Sequence, residues 1–152
     1  MPSTDIANWV TAGASLVTAA GVLLAWWQIR LTKRQATTQF EDQLNSQYRE
    51  IARRLPIEAL LGEPLAHGIP HDHLKGFYHY IDLTNEEVFL RRRRRLSKDT
   101  WENWREGIKW NMTRPGFSAA WQEIKTRSPE SFNELRRLEQ EDFASDPATW
   151  KE

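Results

Sequence analysis

Residues 9–27 form an uninterrupted apolar run, and this run constrains the chain more than any other feature. Between Trp9 and Trp27 there is no ionisable side chain. Three cations follow it closely: Arg30, Lys33 and Arg34. A helix of this length rises by about 27 Å, close to the thickness of the hydrocarbon core of a bilayer. The sequence therefore predicts a single transmembrane helix over residues 9–27.

The flanks of the run argue against the alternatives to a membrane span. A cleaved signal peptide begins with basic side chains, and residues 1–8 contain none. A core helix or an interfacial helix would carry a polar or basic face, which the run lacks. Tryptophans bracket the run, as indole rings do at membrane interfaces: Trp9, Trp26 and Trp27.

The cations after the run predict its orientation. Positively charged residues next to a span favour the cytoplasmic side. We therefore expect residues 1–8 to be a short extracytoplasmic tail and the chain after the span to lie in the cytoplasm. The predicted location is the cell inner membrane, with a single crossing.

Small or weakly polar residues recur along one side of the run at steps of three and four: Thr11, Ser15, Thr18, Val22 and Ala25. Such stripes let membrane helices approach each other closely, so this one could support a homo-oligomer. An alanine-rich helix also contains these spacings by chance. Both interpretations are open at this level.

The composition excludes several classes of function. Lys plus Arg and Asp plus Glu number 21 each, so the chain lacks the bulk positive charge of a nucleic-acid-binding protein. There is no cysteine, which excludes disulfides, thiolate nucleophiles and sulfur-ligated zinc. The sequence contains no phosphate-binding loop, nucleophile elbow or HExxH motif. We expect a protein that is not an enzyme, takes no cofactor and does not bind nucleic acid.

Helical spacing continues after the run, and the sequence predicts an all-α fold. No Pro or Gly interrupts residues 28–55, so these residues should form a cytosolic helical stalk. Residues 56–71 should form a short helix and a connector rich in Pro and Gly. Residues 72–143 should form a bundle of four helices, and residues 144–152 should be a frayed acidic tail.

Local signals predict where the bundle helices begin. The first is expected over residues 72–94. Ser97 should be the N-cap of the second, Pro115 should lie near the start of the third, and Ser128 with Pro129 should begin the fourth. The residues at helical spacing that we expect in the core are Leu74, Phe77, Ile81, Val88, Trp101, Trp104, Ile108, Met112, Phe117, Ala120, Trp121, Ile124, Phe132, Leu135 and Leu138.

Four polar residues lie close together in the first bundle helix: His79, Asp82, Asn85 and Glu86. Three of them follow one helix face and could ligate a metal, but a metal site needs a second ligand-bearing helix, and no Glu-x-x-His motif supplies one. The favoured interpretation is a structural polar network. Because a buried carboxylate needs partners, we expect Asp82 and Glu86 beside Arg, His or Trp donors.

Five consecutive arginines end this helix: Arg91, Arg92, Arg93, Arg94 and Arg95. At a membrane surface each could contribute about 1 kcal/mol of attraction to anionic lipid, and the cluster could also contact a partner protein. The alternative is structural. Cations stabilise a C-terminal helical turn, and five consecutive positions point all round the helix, so some must face neighbouring acids. The structural interpretation is favoured.

Three motifs occur in a fixed order within residues 77–125. The positions concerned are Asp82, Leu83, Asn85 and Glu86, then Thr100, Trp101 and Trp104, then Ala120 and Trp121. Behind an N-terminal anchor, this arrangement resembles small prokaryotic single-pass membrane proteins to which no reaction is assigned. The resemblance therefore carries over no functional residue. It implies a membrane location, and an association with phage defence.

These observations predict a membrane-anchored protein that acts by binding rather than by catalysis. In one hypothesis, the cytosolic bundle is an adaptor that recruits a protein partner to the membrane. In the other, the anchors associate into a homo-oligomer that perturbs the membrane, as a defence effector would. Membrane lipid is an expected partner in both.

Overall fold

The computed structural model describes the backbone of residues 3–65 and 68–151, and the side chains of residues 18, 20–65 and 68–151. Six α-helices form within these residues: α1, Ser3–Ala52; α2, Ile57–Leu61; α3, His71–Arg92; α4, Lys98–Met112; α5, Pro115–Arg127; and α6, Asn133–Gln140. A short 3₁₀ helix, Pro147–Thr149, follows them. The described residues contain no strand, so the all-α prediction is confirmed.

The chain divides into two compact units, Met1–Gln39 and Phe40–Glu152. The described part of the first unit is helical throughout. The second unit contains the last residues of α1 together with all later helices.

The C-terminal end of α1 comes three residues earlier than predicted. The backbone N–H groups of Arg54 and Leu55 donate to the carbonyls of Ile51 and Ala52, at 2.9 and 3.2 Å, which closes a tight turn. Pro56 explains the difference, because it has no N–H to donate and disfavours the helical conformation of the residue before it.

The core of the second unit is built around α3, which packs against α5, α6 and the 3₁₀ helix. Every residue that the sequence placed in the core is buried except Trp104, which is half-buried. A smaller apolar cluster contains Leu44, Leu83, Leu90 and Leu96, and so joins the last turns of α1 to α3. Apolar side chains therefore cover two sides of α3. A single apolar stripe in its sequence would predict only one covered side.

The connection between α2 and α5 depends on a close approach. A side chain at Gly116 would bring its Cβ to 2.9 Å from the Cβ of Ala59, so only glycine allows this contact. The guanidinium of Arg114 also donates a hydrogen bond to the carbonyl of Leu60. These contacts fix the short helix α2 against the bundle.

Three of the four predicted starts of the bundle helices agree with the structure to within one residue, and the fourth is wrong. Ser97 caps α4 by accepting a hydrogen bond from the N–H of Thr100 at 3.1 Å, and α5 begins at Pro115. Ser128 and Pro129 do not begin the last helix. That helix starts at Asn133 after Phe132, which adopts a left-handed conformation with φ of 61°. The guanidinium of Arg136 holds this turn by donating to the carbonyls of Ser128 and Ser131.

The prediction of a frayed tail is wrong for residues 144–151. Phe143 and Pro147 are buried. The indole N–H of Trp150 lies 3.1 Å from the carboxylate of Glu141, and the guanidinium of Arg137 lies 4.4 Å from the centre of the Trp150 ring. The acidic composition of the segment concealed these aromatic and proline contacts.

Candidate functional site

A stripe of polar side chains is buried along α3. Tyr80, Thr84, Glu87 and Arg91 are spaced by four, three and four residues, so they share one helix face. All four are buried, and Asn111 of α4 is buried beside them. The amide of Asn111 donates a 3.1 Å hydrogen bond to the Tyr80 hydroxyl, which ties α4 to α3 at this face.

Glu87 is the unusual member of this stripe. Glu87 is only 7 % exposed, and no described side chain donates a hydrogen bond to its carboxyl group. Burial, with a smaller contribution from the negative charge of Glu86, raises the pKa of Glu87 to about 8. Near neutral pH the group is therefore mostly a neutral acid, because ionisation without a partner is costly in this environment.

Glu87 faces a cavity of about 200 Å³. Residues of α1, α3 and α4 line this cavity beside Glu87, and they include Tyr48, Tyr80, Trp104, Gly107 and Asn111. Burial raises the pKa of the Tyr80 hydroxyl well above its usual value, so Tyr80 stays neutral. One carboxyl group thus faces a space lined by aromatic rings and amides.

The aromatic wall is fixed by packing on both sides. The Tyr80 ring stacks edge-to-face with the ring of Phe117 at 4.9 Å and with that of Tyr48 at 6.2 Å between centroids. Such edge-to-face pairs hold ring orientation. The cavity is therefore preformed rather than dependent on a ligand.

The polar residues expected to form a buried network are arranged differently. His79, Asp82 and Glu86 line an open cleft of about 250 Å³ together with Gln47, Glu50, Ile51, Arg54 and Leu83. Asp82 and Glu86 are exposed, and no described side chain forms a hydrogen bond or ion pair with either. Water can solvate both carboxylates, so the prediction that they are buried is wrong, although Arg54 and His79, two of the expected kinds of neighbour, line the same cleft.

Asn85 does have a structural role. Its side-chain oxygen accepts a 3.1 Å hydrogen bond from the backbone N–H of Leu135, which joins α3 to α6. Among the described residues, no three His, Cys, Asp or Glu side chains are grouped so as to hold a metal ion.

The first arginine of the cluster is internal. Arg91 is 8 % exposed and forms a bidentate pair with Asp146, at 2.8 Å from Nε and 2.6 Å from Nη2. Its Nη1 also donates to the carbonyl of Leu96 at 2.9 Å. The hydrogen bonds from Arg91 lower the pKa of Asp146. Partner or lipid contact by Arg91 is thus ruled out, since its donors are used within the fold.

The remaining arginines differ from one another. Arg92 is half-buried and pairs with Glu134 at 3.1 Å, so it too faces inward. Arg93, Arg94 and Arg95 are exposed, and the guanidinium of Arg93 lies 5.5 Å from the centre of the Phe89 ring. The exposed members of the cluster are therefore its last three residues.

The predicted anchor falls partly outside the residues whose side chains are described. Trp9, Thr11 and Ser15 lie outside them. Thr18, Ala25, Trp26, Trp27, Arg30, Lys33 and Arg34 lie within them and are exposed. In the described part of the chain, no helix combines the length and the apolar character that a membrane span requires.

No family model matches the chain, and no curated protein or solved structure is significantly similar to it. The resemblance to small prokaryotic membrane proteins stays a prediction.

Glu87, Tyr80 and Asn111 were not among the site residues predicted from the sequence. A signal was present, since Tyr80, Thr84, Glu87 and Arg91 recur at helical spacing on α3. This signal does not distinguish Glu87 from the neighbouring acids, because Asp82 and Glu86 also recur at helical spacing. Deciding which acid is buried requires knowing that α1 and α4 cover the face that carries Glu87.

Proposed function

We propose that this protein is anchored in the membrane by the helix over residues 9–27, and that its second unit acts by binding rather than by catalysis. The observation that carries the proposal is an exposed apolar surface in the first unit. Seven large apolar side chains between residues 22 and 31 are at least half exposed: Val22, Leu23, Leu24, Trp26, Trp27, Ile29 and Leu31.

Lipid is the occupant that best accounts for this surface. Contiguous apolar surface is unfavourable in water and marks an interaction site. Here it surrounds the helix and continues an apolar run that begins at Trp9. The guanidinium of Arg30 lies 5.3 Å from the centre of the Trp26 ring, a pairing suited to a membrane interface. In the proposed orientation, residues 1–8 are extracytoplasmic and the second unit is cytoplasmic.

The binding role of the second unit is supported by its exposed surface. Trp110 is 64 % exposed, and the Arg114 guanidinium lies 5.2 Å from the centre of its ring. Exposed Trp and Arg side chains are enriched at protein interfaces. The exposed cations Arg93, Arg94 and Arg95 provide a second contact region. An adaptor that recruits a protein partner to the membrane would use both.

A charge-insertion experiment tests the anchor. Replacing both Leu16 and Val17 with arginine would put two charges near the middle of the proposed span, at a cost of about 2.5–3.5 kcal/mol each. We expect this variant to move from washed membranes into the soluble fraction. The matched control, with Gln43→Arg and Ser46→Arg, adds the same charge at exposed positions of the second unit and should stay in membranes. Equal membrane retention of both variants would contradict the anchor.

Orientation and mechanism need separate measurements. A tag placed before Asp5 should lie on the extracytoplasmic side of the membrane, and a cytosolic tag would overturn the orientation. A monomer in the membrane that leaves liposomes sealed supports the adaptor. An oligomer that makes liposomes leak would instead support the membrane-perturbing effector.

A further inference from the structure

The cavity next to Glu87 is the feature that the proposed function leaves unused. It lies entirely within the second unit, so the inference does not depend on membrane anchoring. A carboxyl group 7 % exposed is normally paired. Here it faces a space of about 200 Å³ instead, and no described side chain offers it a hydrogen bond. The carboxyl group can therefore interact with a molecule that enters this space.

The walls of the cavity indicate the chemistry of that occupant. Tyr48, Tyr80 and Trp104 line it with aromatic rings, whose faces attract cations. A carboxyl group together with aromatic rings is the combination that recognises organic ammonium ions. The volume is below the roughly 300–1,000 Å³ of pockets for drug-sized ligands, so a small cation fits better than a large one.

Gly107 provides an independent observation. It lies within the helix α4, where glycine is unfavourable by about 0.5–1 kcal/mol relative to alanine. Its backbone conformation does not require glycine, and a Cβ at this position would have no atom within 4 Å. Close packing therefore does not explain this glycine. Gly107 lines the cavity at an exposed position, so the space beside it is open to solvent.

We propose that the cavity lined by Glu87, Tyr48, Tyr80 and Trp104 binds a small organic ammonium cation. Glu87 loses its proton when the cation binds, because the bound positive charge offsets the cost of burying the carboxylate. The rings surround the cation, and the open position at Gly107 gives access. A metal ion fits less well, because Glu87 is a single carboxylate among aromatic walls, and such ions require several oxygen ligands.

The same chemistry could be presented by a free amine or by a lysine side chain of a partner protein. Choline and n-butylammonium distinguish these sources, since the first is a quaternary ammonium ion and the second matches the end of a lysine side chain. Binding would be measured by calorimetry, and by the NMR shift of the Trp104 indole N–H. The full chain would be kept in a maltoside detergent, which carries no ammonium group.

The decisive comparison is between choline and its neutral analogue, in which carbon replaces the quaternary nitrogen. We expect at least one of the two ammonium ions to bind saturably, and the neutral analogue to bind at least about tenfold more weakly than choline if choline is the tighter ligand. Tighter binding of n-butylammonium than of choline would indicate a lysine side chain. Absence of saturable binding by both ions would overturn the proposal, as would saturable binding of choline and its neutral analogue with equal affinity.

Three variants link any binding to this cavity. Glu87→Gln keeps the shape and removes the charge, so it should weaken ammonium binding by about tenfold or more while the protein remains folded. Gly107→Phe should block the opening and abolish binding. Gly107→Ala, which adds only a methyl group in open space, is its matched control and should bind normally. Unchanged binding by both Glu87→Gln and Gly107→Phe would show that the cation binds elsewhere and would overturn the assignment.

Discussion

The side chain of Asn85 provides the missing cap for α6. Its Oδ1 accepts a 3.1 Å hydrogen bond from the backbone N–H of Leu135, a residue 50 positions later in the chain. The N-cap residue of α6 is Phe132, whose side chain forms no capping hydrogen bond. The first N–H groups of a helix need acceptors from outside the helix. Asn85 of α3 therefore replaces a local cap with one from a neighbouring helix.

Removing this acceptor should destabilise the second unit. We expect Asn85→Ala to lower the free energy of unfolding by about 1 kcal/mol, as the loss of a helix cap does. Asn85→Asp is the matched control, because a carboxylate also accepts from the N–H groups at a helix start. Urea denaturation of the two variants and the parent measures the difference. If Asn85→Ala and Asn85→Asp were equally stable, the hydrogen bond would have no capping role.

The helix starts show how far local sequence determines this fold. Ser97 and Pro115 mark their helices correctly because each acts on the backbone within three residues of itself. The cap of α6 is not local, since Asn85 and Leu135 meet only after α3 and α6 have packed together. Ser128 and Pro129 have the right residue types for a helix start, but Arg136 holds the following residues in a turn. Sequence patterns cannot anticipate a cap that tertiary packing creates.

Glu87 should make stability depend on pH in an unusual direction. Its pKa rises from 4.5 in the unfolded chain to about 8 in the folded protein. Between these values the folded state holds a proton that the unfolded state has lost. The free energy of unfolding should therefore fall with rising pH, by about 1.4 kcal/mol per unit from this group. The contribution that protonated Glu87 makes to folding stability is fully present below about pH 4.5. It is lost as the pH rises to about 8.

The Glu87→Gln variant isolates this effect. Glutamine cannot ionise, so the difference in unfolding free energy between variant and parent should grow as the pH rises, in favour of the variant. Urea denaturation at several pH values between about 5 and 9 measures that difference. A difference that does not change with pH would mean that Glu87 is solvated in the folded protein.

The candidate site was less predictable than the core. Core positions repeat in an apolar stripe that can be recognised in the sequence, and Phe117, Ala120, Trp121 and Ile124 of α5 are buried as expected. Glu86 and Glu87 are adjacent acids with equal local signals, yet one is exposed and the other buried. The difference arises from the helices that cover one side of α3. Burial of a polar residue is a property of packing and is not visible in its immediate neighbours.

Breaking the pair between Arg91 and Asp146 should be costly, because Arg91 would remain buried without a partner. The side chains are 10 % and 26 % exposed, respectively. We expect Asp146→Ala to lower the free energy of unfolding by about 2–3 kcal/mol. The pair also predicts acid sensitivity. The lowered pKa of Asp146 adds stability that is present above about pH 4 and is lost as the pH falls through the folded pKa.

An exposed pair between the last turn of α1 and the turn that follows it serves as the control for this prediction. Glu50 and Arg54 lie 2.6 Å apart, but their side chains are 66 % and 60 % exposed. We expect Glu50→Ala to change stability by less than about 0.5 kcal/mol. Thermal or urea denaturation compares the two variants under the same conditions. Similar losses for Asp146→Ala and Glu50→Ala would indicate that burial of Arg91 contributes nothing to the pair.

Arg94 adopts a left-handed backbone conformation, which favours glycine. Its φ is 56°, and the N–H of Arg95 donates to the carbonyl of Leu90 at 2.9 Å, a pattern typical of a helix end closed by a left-handed residue. The predicted helix over residues 72–94 ends at Arg92 for this reason.

The Arg94 side chain is exposed, so its removal should break few stabilising contacts. Arg94→Gly should therefore raise the free energy of unfolding by about 0.5–1 kcal/mol. Arg94→Ala removes the same side chain but keeps the strained Cβ, so it should show no such gain. Urea denaturation of both variants separates relief of backbone strain from loss of charge. Equal stabilisation by glycine and alanine would show instead that repulsion among neighbouring arginines is the dominant effect, because both substitutions remove one positive charge.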